Sequence, residues 1–153
     1  MTRITIDNIS VDVPPQWSLT TAILAGPLEE PTATSRFLAP QTPSQFQQNV
    51  VVVREPVGGN VTVDSYFGRQ VESLKREGIS RHEAGKVKKL TIDGVDALQT
   101  EQIIVAPTGE RVRQMQLMTI KGGFAYTLIA SHLEGEPFER SRASFEHILT
   151  SFR

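Results

Sequence analysis

The sequence predicts an α+β domain in which an antiparallel sheet carries two main helices. Three observations carry that prediction. Residues 87–131 alternate apolar and polar positions and are broken by Asp93-Gly94, Pro107-Thr108-Gly109-Glu110 and Gly122-Gly123. A run of strands joined by tight turns is a meander, because two-residue Asp-Gly and Gly-Gly links suit hairpins. Two further stretches repeat apolar residues at helical spacing, near 62–77 and 137–150. Strands, helix, meander and helix in that order give an antiparallel sheet with helices against it.

Taken in chain order, Ile4 and Ile6, then Ile9, Val11 and Val13, alternate with polar residues around Asp7-Asn8, so residues 3–13 form a hairpin. Pro14-Pro15 ends it, since proline cannot donate to a ladder. Leu19 to Ala25 is a second strand region, with Ala22 and Leu24 on one face. Residues 26–48 hold Pro27, Pro31, Pro40 and Pro43 and read as a long loop with a short strand at Arg36-Phe37-Leu38. Val50–Val53 is β-branched throughout, which predicts a central strand covered on both faces.

Gly58-Gly59-Asn60 is a break, and Thr62 is the N-cap of a helix reaching about Glu77, where Gly78 stops it. Its apolar stripe is Val63, Phe67, Gln70, Val71 and Leu74. A strand over about 87–92 leads into Asp93-Gly94, and strands over 95–105, 111–121 and 124–131 complete the meander. The last helix starts near Glu136-Pro137, with proline at an accepted first position. Phe138, Phe145, Ile148, Leu149 and Phe152 form its apolar face.

Composition sets the limits on function. The 153 residues fit one domain spanning 1–153, with a core that needs no staples. Net charge is −1, so no field of one sign attracts nucleic acid or an anionic membrane. The absence of cysteine removes disulfides, thiolate metal sites and a cysteine nucleophile. The first residues read as a strand without the apolar core of a signal peptide, and no apolar run spans a bilayer. These features give the expectation of a cytoplasmic protein with no direct membrane insertion.

Candidate chemistry is sparse. His82, His132 and His147 have no metal-ligand spacing, there is no Gly-x-Ser-x-Gly elbow, and neither glycine pair extends to a phosphate loop. Glu134, Glu136 and Glu139 gather where the last helix begins and oppose its dipole. The expectation is a protein that is not an enzyme and uses no metal or cofactor. Two amides stand out. Gln70 lies inside the helical stripe, either at its edge reaching water or buried and held for a partner's backbone. Gln116 alternates with Met115 and Leu117. If those two face the helices, the other sheet face carries Gln114 and Gln116 beside Met118 and Ile120. That face is either an adaptable contact surface, to which methionine is suited, or an ordinary half-solvated one.

Pro15-Gln16-Trp17, the strand Asn49-Val50-Val51-Val52-Val53-Arg54, the turn Asp93-Gly94-Val95-Asp96-Ala97 and the closing Ile148-Leu149-Thr150-Ser151-Phe152 occur in an order that resembles the DcrB-like branch of the PsbP-like α/β/α sandwich superfamily. Stand-alone members of this size without a signal look like Eag-type adaptor chaperones of type VI secretion. The resemblance implies a homodimer whose sheet faces cradle the N-terminal transmembrane segments of a Rhs- or PAAR-type toxin effector. It implies a groove lined by Ala22 and Leu24, with Gln70, Gln116, Met118 and Ile79 as further contacts. The alternative is a non-catalytic structural or accessory module of the same fold. The chain departs from the family in its long proline-rich stretch 26–48 and in the small Ala22.

Overall fold

The computed structural model describes residues 1–6, 8–25, 31–38, 46–76, 87–105 and 109–153. The hairpin β1 (Thr2–Ile6) and β2 (Ile9–Val13) forms a two-stranded sheet. Then come β3 (Ser18–Ala25), β4 (Pro31–Leu38), β5 (Asn49–Pro56), helix α1 (Val63–Arg76), β6 (Lys88–Ile92), β7 (Val95–Val105), β8 (Arg111–Lys121), β9 (Phe124–Leu133) and helix α2 (Glu136–Thr150). The main sheet has seven strands in the order β3-β4-β5-β9-β8-β7-β6, and neighbouring strands are antiparallel. The meander is as expected. Asp93 (φ 51°) and Gly94 (φ 75°) are both left-handed, the backbone a tight hairpin turn of this hand requires.

Two expectations are corrected. The stretch 26–48 is not simply a loop with a short strand at 36–38, because Pro31–Leu38 is an eight-residue strand paired along its whole length with β3. Pro31 sits at the first strand position, where a missing donor does least harm, and Thr32 and Thr34 are strand formers that polarity made look like loop. Residues 26–30 and 39–45 lie outside the described ones. The strand of valines is interior, between β4 and β9, but its faces differ: Val50 and Val52 are buried, and Val51 and Val53 are half-buried.

The helices lie on opposite faces of the sheet. On one, Val50, Val52, Met115, Leu117, Leu128 and Ala130 pack against Phe138, Phe145, Ile148 and Leu149 of α2 and against Ile9, Val11 and Val13 of the hairpin. Burying each such side chain contributes roughly 1.5–3 kcal/mol. On the other, Leu98, Met118 and Ala125 pack under Val63 and Tyr66 of α1. Met115 and Leu117 therefore face α2 alone, and the Gln116 face carries a helix of its own. Thr62 caps α1 as expected: its Oγ1 accepts from the Ser65 amide (3.1 Å), and the Ser65 hydroxyl accepts from the Thr62 amide (3.0 Å). The predicted stripe missed Tyr66, which is 5% exposed. Its ring is buried, while its hydroxyl donates to Glu55 (2.7 Å).

Around the start of α2 the acidic residues do more than oppose the dipole. Glu134 pairs with Arg111 (2.6 Å) and Arg113 (3.4 Å), and Glu139 pairs with Arg142 (2.7 Å). Glu101 of β7 binds both Arg113 and Arg142. The two guanidinium groups lie over the Phe138 ring, at 5.9 and 5.1 Å. At its other end α2 is tied to the hairpin. Ser10 and Arg153 exchange two backbone hydrogen bonds of 3.0 Å, and Ser151 Oγ accepts from the Asp12 amide (2.8 Å).

Two outcomes are expected. Tyr126 is fully buried, and its hydroxyl has no hydrogen-bond partner among the described residues. Tyr126→Phe removes an unsatisfied group, so urea unfolding should show a gain of about 1 kcal/mol; a loss of that size would mean that the hydroxyl has a partner. The second concerns acid. The Arg111 hydrogen bond holds the Glu134 carboxyl below its ordinary pKa, and the Arg142 hydrogen bond does the same for Glu139. Groups lowered on folding favour the folded state above their unfolded pKa and surrender that as pH falls through the folded value. Tm should stay flat down to about pH 5 and fall below about pH 4, near the ordinary glutamate value. Thermal melts of Glu139→Gln should show a shallower acid decline.

Candidate functional site

Alternation along β5, β7, β8 and β9 divides charge between the two faces. Register is uninterrupted across these strands, so each face can be followed from strand to strand. The α2 face takes Arg54, Glu101, Arg111, Arg113 and Lys121. The α1 face takes two charged residues from these four strands, both near strand ends: Glu55 at the end of β5 and Asp96 at the start of β7.

Three cross-strand rows make up most of that α1 face. Val53, Thr127, Met118 and Leu98 form the first, Val51, Ile129, Gln116 and Thr100 the second, and Asn49, Ser131, Gln114 and Gln102 the third. α1 touches β7 and β8. Val51, Val53 and Ile129, on β5 and β9, remain half-buried beside it. The third row is joined by side chains: Gln102 Nε2 donates to Gln114 Oε1 (2.7 Å), and Gln114 Nε2 donates to Ser131 Oγ (3.2 Å). Gln102 and Ser131 are buried, so each bond satisfies groups that are costly to leave unpaired. At the edge of the face, burial and then the Glu55 carboxylate push the Tyr66 hydroxyl pKa well up, which keeps it a neutral donor.

Register carries the rows across to β4 and β3. Thr34 stands next to Val53 and Ala22 next to Thr34, so Ala22 lies in the row of Thr127 and Met118. Leu24 is two positions further along β3, opposite Thr32. Arg36 is the only charged residue on this alternation of β3 and β4.

Of the residues expected to form the groove, Ala22, Leu24, Gln116 and Met118 thus share one alternation of one sheet. Gln70 is half-buried on α1, which lies on that face. Ile79 falls outside the described residues. Met118 differs from expectation: it is 3% exposed beneath Val63 and Tyr66, so its side chain packs α1 and is not open to a partner. Gln116 is also buried, at 5%. The half-open floor beside α1 is made by Val51, Val53 and Ile129, none of which the sequence placed in the groove. The amide row was missed as well, although its signal was present. Antiparallel pairing of the strands expected over 95–105 and 111–121 sets Gln102 opposite Gln114.

Elsewhere chemistry is scattered. Among the described residues no group of three or more His, Asp or Glu side chains is placed to hold a metal. His132 stacks on Phe46 (6.3 Å) and accepts from the Leu133 amide (2.9 Å), and burial lowers its pKa. His147 lies 3.4 Å from Asp12 at the hairpin. A cavity of about 110 Å³ between α1 and the β6–β7 hairpin is lined by Val63, Leu90, Ala97 and Leu98 with Asp64, Lys89 and Asp96. It is large enough for only a few waters. No described helix is long and apolar enough to cross a membrane.

No family model matches this sequence, and no curated protein matches it. Solved structures do. Over 99% of this chain and 91% of the other, the fold matches CyanoP, the cyanobacterial PsbP of Synechocystis sp. PCC 6803, with a TM-score of 0.69 and 15% identity. PA94, a Pseudomonas aeruginosa protein of unknown function, matches over 95% and 91% with a TM-score of 0.61 and 13% identity. A Bacteroides thetaiotaomicron VPI-5482 protein matches at 0.55 and 14% identity, with 95% of this chain covering 44% of that one. The architecture is therefore the PsbP-like α+β fold.

The amide row predicts a graded pair of variants. Gln114→Leu strands both Gln102 and Ser131 in a buried row and should cost about 1–3 kcal/mol in urea unfolding. Ser131→Ala leaves the Gln102–Gln114 bond in place and should cost less.

Proposed function

We propose that this chain is a non-enzymatic cytoplasmic chaperone, or adaptor, that binds and shields the N-terminal transmembrane segments of a Rhs- or PAAR-type type VI secretion effector before export. In this reading it works as a homodimer and needs no cofactor. The motif order supports it, and the observation that carries it is the sheet face half open beside α1, whose three central rows hold no charged residue. A membrane-spanning helix of about 20 apolar residues is roughly 30 Å long. β5 and β9, which carry the open floor, have eight and ten residues and run roughly 26 and 33 Å at the usual strand rise, so the floor supports most of the helix length. Covering apolar surface in water gains roughly 25 cal/mol per Å², and a floor bearing unpaired charges would forfeit that gain through desolvation. Glycine, serine and threonine on such a helix leave polar groups that nearby amides and hydroxyls can meet, at roughly 0.6–2 kcal/mol each.

A second reading, an accessory binding module without cargo of this kind, is favoured by the similarity to CyanoP. Co-purification separates the two. The wild-type chain should capture an effector's N-terminal region, and Leu24→Asp should weaken capture more than about tenfold, since a carboxylate against an apolar helix has no partner. Unchanged capture by a folded Leu24→Asp protein would remove Leu24 from the groove. Absence of capture by the wild type would favour the accessory module.

A further inference from the structure

An open sheet has two edges, and those of this one differ in kind. β6 is short, five residues, with Lys88 and Lys89 both exposed. Lysines on an edge strand deter the pairing of another chain. β3, at the opposite edge, is eight residues long and reads Ser-Leu-Thr-Thr-Ala-Ile-Leu-Ala. It holds no charge, no proline and no glycine. It is paired with β4 at all eight positions, so it is a continuous regular strand. Among the described residues no strand pairs with its outer side. A long uncharged strand rich in Thr, Ile and Leu, with no strand on its outer side among the described residues, is a template for one more strand.

We propose that this edge is the homodimer interface: β3 of one protomer pairs antiparallel with β3 of a second copy about a two-fold axis, and the main sheet runs on through both. The composition selects that occupant. An uncharged strand meets its own copy without like-charge repulsion, and two-fold pairing uses up both edges and closes, where a head-to-tail contact would polymerise. The pairing also completes the candidate site. Ala22 and Leu24 lie on the same alternation as the half-open floor, so joining two β3 strands makes the two floors one surface with these residues from both copies at its centre. The proposal takes the homodimer from the reading above and does not depend on the cargo.

Because the chain lacks cysteine, single cysteines report on this edge directly. Thr20→Cys, Thr21→Cys, Ala22→Cys and Ile23→Cys, each in the full chain, are oxidised with copper phenanthroline and run on a non-reducing gel. The expected result is a covalent dimer that forms fastest at the one position nearest the two-fold axis, with Thr91→Cys on β6 remaining single. Light scattering provides the second arm. Thr21→Lys should fall from twice the 16.9 kDa chain mass to one chain, and mixing it with Thr21→Asp should restore the dimer. Circular dichroism confirms folding. Cross-linking through β6 but not β3, a folded Thr21→Lys that stays dimeric, or a wild type that is monomeric at every concentration would overturn the proposal. Failure to capture an apolar helix would leave it standing and would count only against the chaperone reading.

Discussion

The constraint on which this structure depends is the unbroken alternation of its long strands. A strand sends successive side chains to opposite faces, and one inserted residue would reverse every position beyond it. β7, β8 and β9 keep their pairing without a bulge from end to end. Only on that condition can Glu101, Arg111 and Arg113 gather at α2 while Gln102, Gln114 and Gln116 gather on the other side. The turns protect the alternation, because Asp93-Gly94 and Gly122-Gly123 adopt left-handed backbone that leaves the flanking strands in register.

Each face solves a different problem. The α2 face is closed by aromatic packing, with Phe138 against Phe145 (5.5 Å) and Tyr126 against Phe152 (5.1 Å), and the arginine–glutamate cluster lies over its rim. The charges there stay partly hydrated, which keeps their desolvation modest. The α1 face is covered by one helix of fourteen residues, too narrow for a sheet of this width. In its three central rows the polar groups are neutral and, in the third row, bonded to one another. Neutral amides and hydroxyls can be covered and uncovered at far lower cost than ions.

Much of the fold was legible because its signals are local. The Asp-Gly and Gly-Gly turns, the Thr62 cap and the spacing of Phe138, Phe145, Ile148 and Leu149 depend on neighbours in sequence. β4 was hidden because Thr32, Thr34 and Ser35 look like loop by polarity, and only pairing with β3 and β5 makes them strand. Tyr66 was hidden because one residue carries a buried ring and a hydrogen-bonded hydroxyl. For the candidate site, alternation alone set Gln116 apart from Met115 and Leu117. That Met118 would lie beneath α1 was not legible, because which face a helix takes is decided by packing between distant segments. The open floor of Val51, Val53 and Ile129 was concealed for the same reason.

The bonds between Ser10 and Arg153 bear on the order in which the molecule can be assembled. Ile9, Val11 and Val13 have their cover in α2 and the residues just after it. On a ribosome the first hairpin therefore emerges more than a hundred residues before the segment that shelters it. Contacts so far apart along the chain form slowly, since a long loop must close first. The hairpin, though it precedes the rest of the domain in sequence, is thus among the last parts of it to be buried, and the domain can complete its core only after translation has passed α2.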